Sequence, residues 1–188
     1  MGSILDKLFV RGKHVCPSWL CFTFDNPLRR IFQDPDKILS PYIRPGDTVV
    51  DIGPGKGYFT MPMCKLVGRE GRVVASDIQE RMLSALQRRA SEVGLTANLI
   101  TNLGRPDDFG LDVKADFVLA FWMVHEVPEP MNFFMNVKKI MKPQALLLIK
   151  PVQYLFMLIN TATYKSVKSK LTHICCISGG SATGNAVF

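Results

Sequence analysis

The stretch Val49–Thr60, VVDIGPGKGYFT, is the most informative part of this chain. A short β-branched run ends at Asp51, and glycines follow at alternate positions before a helical pattern begins. Glycines let the backbone turn sharply and approach a ligand without an obstructing Cβ atom. Ligands of open α/β sheets bind outside the carboxyl ends of the strands. The stretch therefore predicts a strand, a ligand-binding loop and a helix, with the loop built on Gly53, Gly55 and Gly57.

The segments around this loop alternate between strand-like and helix-like periodicity. Strands joined by helices imply right-handed crossovers and a mostly parallel sheet. We therefore predict an α/β fold, a Rossmann-like three-layer sandwich with about seven strands. After the first strand, the predicted strands are 72–77, 97–101, 115–122, 145–150, 173–178 and 185–188, and the predicted helices are 58–67, 79–93, 130–141 and 162–171.

Residues 1–46 differ from the rest in being rich in proline and aromatic side chains. We expect them to form a short helical N-terminal cap or lid, with Asp34-Pro35 opening a helix that continues through Tyr42. Residues 47–188 would then form the ligand-binding domain.

Composition limits the possible classes of protein. The chain has 188 residues, 47% of them hydrophobic and 21% charged, which is typical of one globular domain. No apolar run is long enough to span a membrane, and no signal peptide is recognisable, so we expect a cytoplasmic protein. His14, Cys16 and Cys21 lie close together but lack a fourth ligand, and no metal site is predicted.

The formal net charge of +7 would suit an anionic partner such as nucleic acid. The basic residues are dispersed, however, in short clusters such as Arg29-Arg30 and Arg88-Arg89. We favour a solvated surface over a binding patch, so nucleic acid remains possible but not preferred.

Two carboxylates indicate what the glycine loop binds. Asp77 ends the second predicted strand, where a carboxylate can accept both hydroxyl groups of an adenosine ribose. Asp51 precedes the glycines, and its charge favours a ligand that carries an ammonium group over one that carries a pyrophosphate.

Three segments carry a resemblance to a known family. DIGPGKGYFT, ASDIQERML and FWMVHEVPE, in this order and at this spacing, resemble class I S-adenosylmethionine-dependent methyltransferases. The upstream segment is similar to a subgroup of small methyltransferases with a Cys-Pro and an Asp-Asn-Pro-Leu-Arg-Arg leader, here at residues 16–17 and 25–30.

The resemblance implies S-adenosylmethionine as cofactor and S-adenosylhomocysteine as product. The three glycines would lie against the methionine moiety, Asp51 would hold its ammonium group, and Asp77 would hold the ribose. Further cofactor contacts would come from Tyr58 beside the loop, Ile78 and Met82 at the adenine, Asn102 and Leu103 at the adenine rim, and Ala120 and Phe121 near the transferable methyl group.

His125, with Glu126 beside it, is the candidate catalytic base, because imidazole can remove a proton from an acceptor near neutral pH. We expect a small-molecule acceptor. An RNA methyltransferase and a non-catalytic S-adenosylmethionine-binding module are the alternatives. The second gains weight because KPQA at 142–145 and Lys150 depart from the family's Lys-Pro-Gly-Gly and glutamate.

Overall fold

The fold is built around a strand that is buried at every position. In the computed structural model, which describes residues 33–105, 107–121, 129–150 and 174–176, strand β1 (Thr48–Ile52) lies in the interior of a parallel sheet. It pairs with β2 (Arg72–Asp77) on one side and with β4 (Ala115–Phe121) on the other. A strand covered on both faces needs a continuous apolar run, which explains the β-branched residues before the glycine loop.

The six described strands have the order β3-β2-β1-β4-β5-β6, and all neighbours are parallel. The direction of the order reverses between β1 and β4, which is where open α/β sheets bind ligands. The remaining strands are β3 (Leu99–Leu103), β5 (Met141–Lys150) and β6 (Ile174–Cys176).

Helices cover both faces of the sheet, as the predicted three-layer sandwich requires. On one face, α1 (Pro35–Leu39), α2 (Thr60–Val67) and α3 (Glu80–Glu92) pack against alternate residues such as Val73 and Leu119. On the other face, α4 (Pro130–Ile140) packs against the intervening residues such as Val74 and Val118.

An ion pair joins the amino ends of three strands. The Asp116 carboxylate of β4 accepts a hydrogen bond from the Thr48 backbone N–H at 3.0 Å, and the Nζ atom of Lys142 in β5 lies 2.8 Å from it. The pKa of Asp116 is lowered, because these hydrogen bonds and the lysine charge together outweigh the effect of its partial burial. This contact fixes the end of the sheet opposite the glycine loop.

Several predicted boundaries were wrong. Strand β3 spans 99–103 instead of 97–101, because the Asn98 side chain binds the carbonyl oxygens of Cys64 and Gly68 at the end of α2. Helix α2 begins at Thr60 because the turns of the glycine loop continue through Phe59.

The elements at the two ends of the described chain also differ from prediction. Helix α1 has the expected Asp34 cap, whose carboxylate accepts from the Asp36 N–H at 3.1 Å, but it ends at Leu39 rather than Tyr42. Strand β5 starts directly after α4, four residues earlier than predicted, and a register shift between Ala115 and Phe117 accommodates it.

Three predicted features lie wholly or largely outside the described residues: the helix at 162–171, the strand at 185–188 and most of the 1–46 cap. Among the helices of the described ranges, none is long and apolar enough to cross a membrane.

Gly57 and Gly55 make a matched pair for testing the turn into α2. Both have positive φ, +83° and +54°, but a Cβ atom on Gly57 would overlap Leu86 of α3, whereas one on Gly55 would meet nothing within 4 Å. Gly55→Ala should therefore lower the free energy of unfolding by about 1 kcal/mol from backbone strain. Gly57→Ala should lose roughly a further 1–3 kcal/mol through overpacking.

Urea unfolding of both variants tests this expectation. Leu86→Ala should lower the free energy of unfolding less in the Gly57→Ala variant than in the wild type, because it removes the overlap with the new Cβ atom. Equal losses for the two glycine variants would show that packing against α3 does not matter.

Candidate functional site

The glycine loop forms a tight turn at the carboxyl end of β1. The Gly53 N–H donates to the Ser76 carbonyl at 2.9 Å, so the loop stays attached to β2 for one residue beyond the strand. The Gly57 N–H donates to the Pro54 carbonyl at 2.9 Å and closes the turn. This geometry places the loop between the ends of two adjacent strands and the first turn of α2.

Asp51 is a buried carboxylate in the middle of the sheet. Its side chain points to the α2 face, only 2% of the residue is exposed, and its Oδ2 accepts a hydrogen bond from the Thr60 hydroxyl at 2.6 Å. Burial raises the pKa of Asp51 from 3.8 to about 7, the Thr60 hydrogen bond opposes that rise, and the charge of Asp77 adds to it. This carboxyl group is therefore partly protonated near neutral pH, and a cation placed beside it would favour its ionised form.

Asp77 is the last residue of β2 and lies on the same face as Asp51. The pairing of Asp51 with Ala75 puts the two carboxylates on adjacent strands, two residues apart along the sheet. Asp77 is 9% exposed, and its Oδ1 accepts from the Gln79 N–H at 2.9 Å. Burial raises the pKa of Asp77, although backbone N–H groups of Gln79, Gly55 and Ile78 favour its ionised form.

Apolar side chains extend from the strand ends beside Asp77. Ile78 is 42% exposed and Leu103, at the end of β3, is 56% exposed, whereas Met82 in the first turn of α3 is buried. Large exposed apolar side chains next to polar groups are typical of surfaces that a flat ligand covers.

The Asn102 side chain is bound within the protein. Its Nδ2 donates to the Ser76 hydroxyl at 3.1 Å and to the Phe109 carbonyl at 2.6 Å. These contacts tie the segment after β3 to the sheet.

The two residues predicted at the end of β4 face opposite sides of the sheet. Ala120 pairs with Ile52 and is packed on the α4 side. Phe121 lies on the Asp51 side, and its ring centroid is 4.1 Å from that of Phe59. The structure therefore brings Phe121, but not the Ala120 methyl group, to the face that carries the two carboxylates.

Tyr58 connects the glycine loop to the segment before α1. Its hydroxyl donates to the Gln33 carbonyl at 2.8 Å, and its ring packs edge-on against Phe59. His125, Glu126, His14, Cys16 and Cys21 lie outside the described residues. Within the described part of the chain, no group of three His, Cys, Asp or Glu side chains could hold a metal ion.

Sequence reasoning missed Thr60, whose hydroxyl is the hydrogen-bond partner of Asp51. A signal was present, because Thr60 is a polar residue in an otherwise apolar first turn of a buried helix. Such a side chain needs a partner, and a buried carboxylate on the preceding strand is the nearest one that the βα connection provides.

Comparison with known proteins identifies the family of this chain. A family model described as a methyltransferase domain matches residues 43–185. A ubiquinone/menaquinone biosynthesis C-methyltransferase from Hydrogenovibrio crunogenus is 31% identical over 113 residues, which are 57% of this chain and 42% of that protein. The chain thus spans less than half the length of this curated relative.

Solved structures share the fold of this chain. A SAM-dependent methyltransferase from Aquifex aeolicus is 29% identical, with a TM-score of 0.66 and coverage of 72% of each chain. A coclaurine N-methyltransferase bound to N-methylheliamine and S-adenosylhomocysteine shares the fold, with a TM-score of 0.54, 17% identity and coverage of 61% of this chain and 33% of that one. The chain belongs to the methyltransferase-domain family, as a class I domain whose cofactor is S-adenosylmethionine.

Proposed function

We propose that this chain transfers the methyl group of S-adenosylmethionine to a small-molecule acceptor. The observation that carries the proposal is the pair of largely buried carboxylates, Asp51 and Asp77, on either side of a glycine loop at the carboxyl edge of the sheet. Two like charges in that position are unfavourable alone and are suited to a ligand that brings a cation and hydrogen-bond donors.

The chemistry of the cofactor fits these donors. The amino-acid end of S-adenosylmethionine carries an ammonium group for Asp51, either directly or through water, and its ribose diol offers two O–H donors to Asp77. Open space beside the Gly55 Cα atom leaves room for the ligand to approach the loop. Ile78 and Leu103 supply apolar surface for the adenine.

When bound, S-adenosylmethionine supplies a methyl group on a positively charged sulfur, which an acceptor atom can attack in line. The chain must hold the acceptor in that line, exclude water and remove a proton where the acceptor carries one. The segment after β4 follows Phe121 directly, so His125 in that segment is our proposed base. The packing of the Phe121 ring against Phe59 supports exclusion of water on the side of the sheet that carries the two carboxylates.

The class of acceptor is proposed from the relatives. The protein from Hydrogenovibrio crunogenus is named for methylating carbon in ubiquinone and menaquinone biosynthesis, which supports a small organic acceptor. The RNA alternative predicts methyl transfer to nucleic acid, and the non-catalytic alternative predicts cofactor binding without methyl transfer.

Asp77→Ala is the first test. Loss of two charge-assisted hydrogen bonds to the ribose should weaken binding of S-adenosylmethionine and S-adenosylhomocysteine by about 10- to 100-fold, measured by calorimetric titration. Asp77→Asn retains an acceptor for the Gln79 N–H and separates the loss of charge from the loss of that contact.

Glu80→Ala is the matched control, since Glu80 is an exposed carboxylate only three residues away, in the first turn of α3. It should bind both ligands like the wild type. Equal weakening in the Glu80 and Asp77 variants would remove Asp77 from the ribose site, and absence of binding to the folded wild type would overturn the proposed function.

Asp51 makes a prediction about pH. Because its pKa is about 7 in the ligand-free protein, binding of an ammonium group at lower pH must displace a proton. Affinity for S-adenosylhomocysteine should therefore fall by about 25-fold between pH 7.5 and 5.5. Asp51→Asn should bind more weakly at pH 7.5 and lose most of this dependence, leaving only the part due to Asp77.

The raised pKa of Asp51 also predicts how the stability of the ligand-free protein depends on pH. The folded state holds a proton on Asp51 more tightly than the unfolded state, where the pKa is 3.8, so this group's contribution to stability is full below pH 3.8 and is lost as the pH rises to about 7. Chemical unfolding of wild type and Asp51→Asn across this range checks the sign. A wild-type curve that rises relative to the variant over this interval would contradict the raised pKa.

Transfer of a radiolabelled methyl group from S-adenosylmethionine tests the catalytic step. Small-molecule extracts should accept label and purified RNA should not, and His125→Ala should lower the rate at least about 100-fold if the acceptor must lose a proton. Label in RNA alone would favour the nucleic-acid alternative, and no transfer despite cofactor binding would favour the non-catalytic module.

A further inference from the structure

Helix α3 contacts the glycine loop at two points. The Leu86 side chain lies against the Cα atom of Gly57, where no Cβ atom could fit. One turn later, the Arg89 guanidinium donates from Nη1 to the Lys56 carbonyl oxygen at 3.2 Å. Because Leu86 and Arg89 are three residues apart, they lie on the same side of the helix.

The arginine contact fixes one particular peptide unit. The Lys56 carbonyl accepts from Arg89, and the N–H on the other side of that peptide, from Gly57, donates to the Pro54 carbonyl. A planar peptide that is hydrogen-bonded at both of its groups cannot rotate without breaking one of them. Arg89 thereby restrains the part of the loop where glycine would otherwise allow many conformations.

Helix α3 also carries the other half of the site. It starts three residues after Asp77, and the backbone N–H of Gln79, the residue before its first turn, donates to the Asp77 carboxylate. One rigid element therefore sets the positions of both the carboxylate and the back of the loop, which the sequence separates by about 20 residues.

We propose that Arg89 is a positioning residue for cofactor binding, which holds the Lys56–Gly57 peptide so that the glycine loop fits the amino-acid end of S-adenosylmethionine. This inference rests on the proposed function. The neighbouring Arg88 differs sharply: its side chain is 78% exposed and lies 4.0 Å from Glu92 in an ion pair on the outer surface. The sequence alone presents the two arginines as one surface cluster.

Ligand truncation tests the proposal. Arg89→Ala should weaken S-adenosylhomocysteine binding by about five- to tenfold, the effect of one charge-assisted hydrogen bond at a half-buried site. It should leave 5′-methylthioadenosine, which lacks the amino-acid end, unaffected, whereas Asp77→Ala should weaken both ligands. Arg88→Ala should change neither, and Arg89→Lys should recover part of the loss. All titrations are made well below the melting temperature of each variant.

Unchanged S-adenosylhomocysteine binding in Arg89→Ala would overturn the proposal, as would equal weakening of both ligands, which indicates a general structural role. A ligand-free measurement keeps the inference separate from the proposed function. Amide hydrogen exchange at Gly57 should accelerate in Arg89→Ala and not in Arg88→Ala. If the wild type bound neither ligand, the proposed function would fail, and unaltered exchange at Gly57 would independently overturn the restraint on the loop.

Discussion

The rest of this site depends on one constraint: two carboxylates are buried next to each other near the carboxyl ends of β1 and β2. Asp51 and Asp77 lie on one face of adjacent strands, and burial raises the pKa of each. Neither has a cationic side chain among the hydrogen bonds that the structure assigns to it, since Thr60, Gln79 and the neighbouring N–H groups are neutral donors. The surrounding sheet, loop and helix keep the pair together at an electrostatic cost that a cationic ligand can offset.

Much of this fold could be predicted from the sequence because parallel strands buried on both faces read as short apolar runs. The β-branched segments before the glycine loop and at 72–77 predicted the central strands, and the spacing from Gly53 to Asp77 predicted a loop after β1 and a carboxylate at the end of β2. The failures have tertiary causes. Strand β3 is displaced because the Asn98 amide caps α2, a contact across 30 and 34 residues that periodicity does not encode.

The site residues were predicted from their positions in the chain, but the face of the sheet to which each side chain points depends on the register between strands. Ala120 and Phe121 follow one another and so point to opposite faces, which family resemblance alone did not separate. The Asn102 amide donates to Ser76 and Phe109. Arg89 contacts a loop 33 residues away, whereas the exposed Arg88 side chain lies near Glu92 on its own helix. The departure at Gln144-Ala145 lies where β5 changes register against β4, because Ala115 pairs with Met141 whereas Phe117 pairs with Leu146, and Ala145 is buried there.

The order of strands in the sheet has a kinetic consequence. Contacts between β1 and β2 or between β2 and β3 join residues 24 and 26 apart, whereas the Thr48–Asp116 hydrogen bond that ties β1 to β4 spans 68 residues. Closing the longer segment costs about 1 kcal/mol more in chain entropy. The β4–β5 and β5–β6 pairs join residues 26 to 29 apart, so the contacts within each half of the sheet are local and the β1–β4 pairing is the long-range one. The half that carries the glycine loop, Asp77 and α3 precedes β4 in the chain and is synthesised before it. That half can form as a folding unit during synthesis, and the long-range β1–β4 pairing then joins it to the later strands.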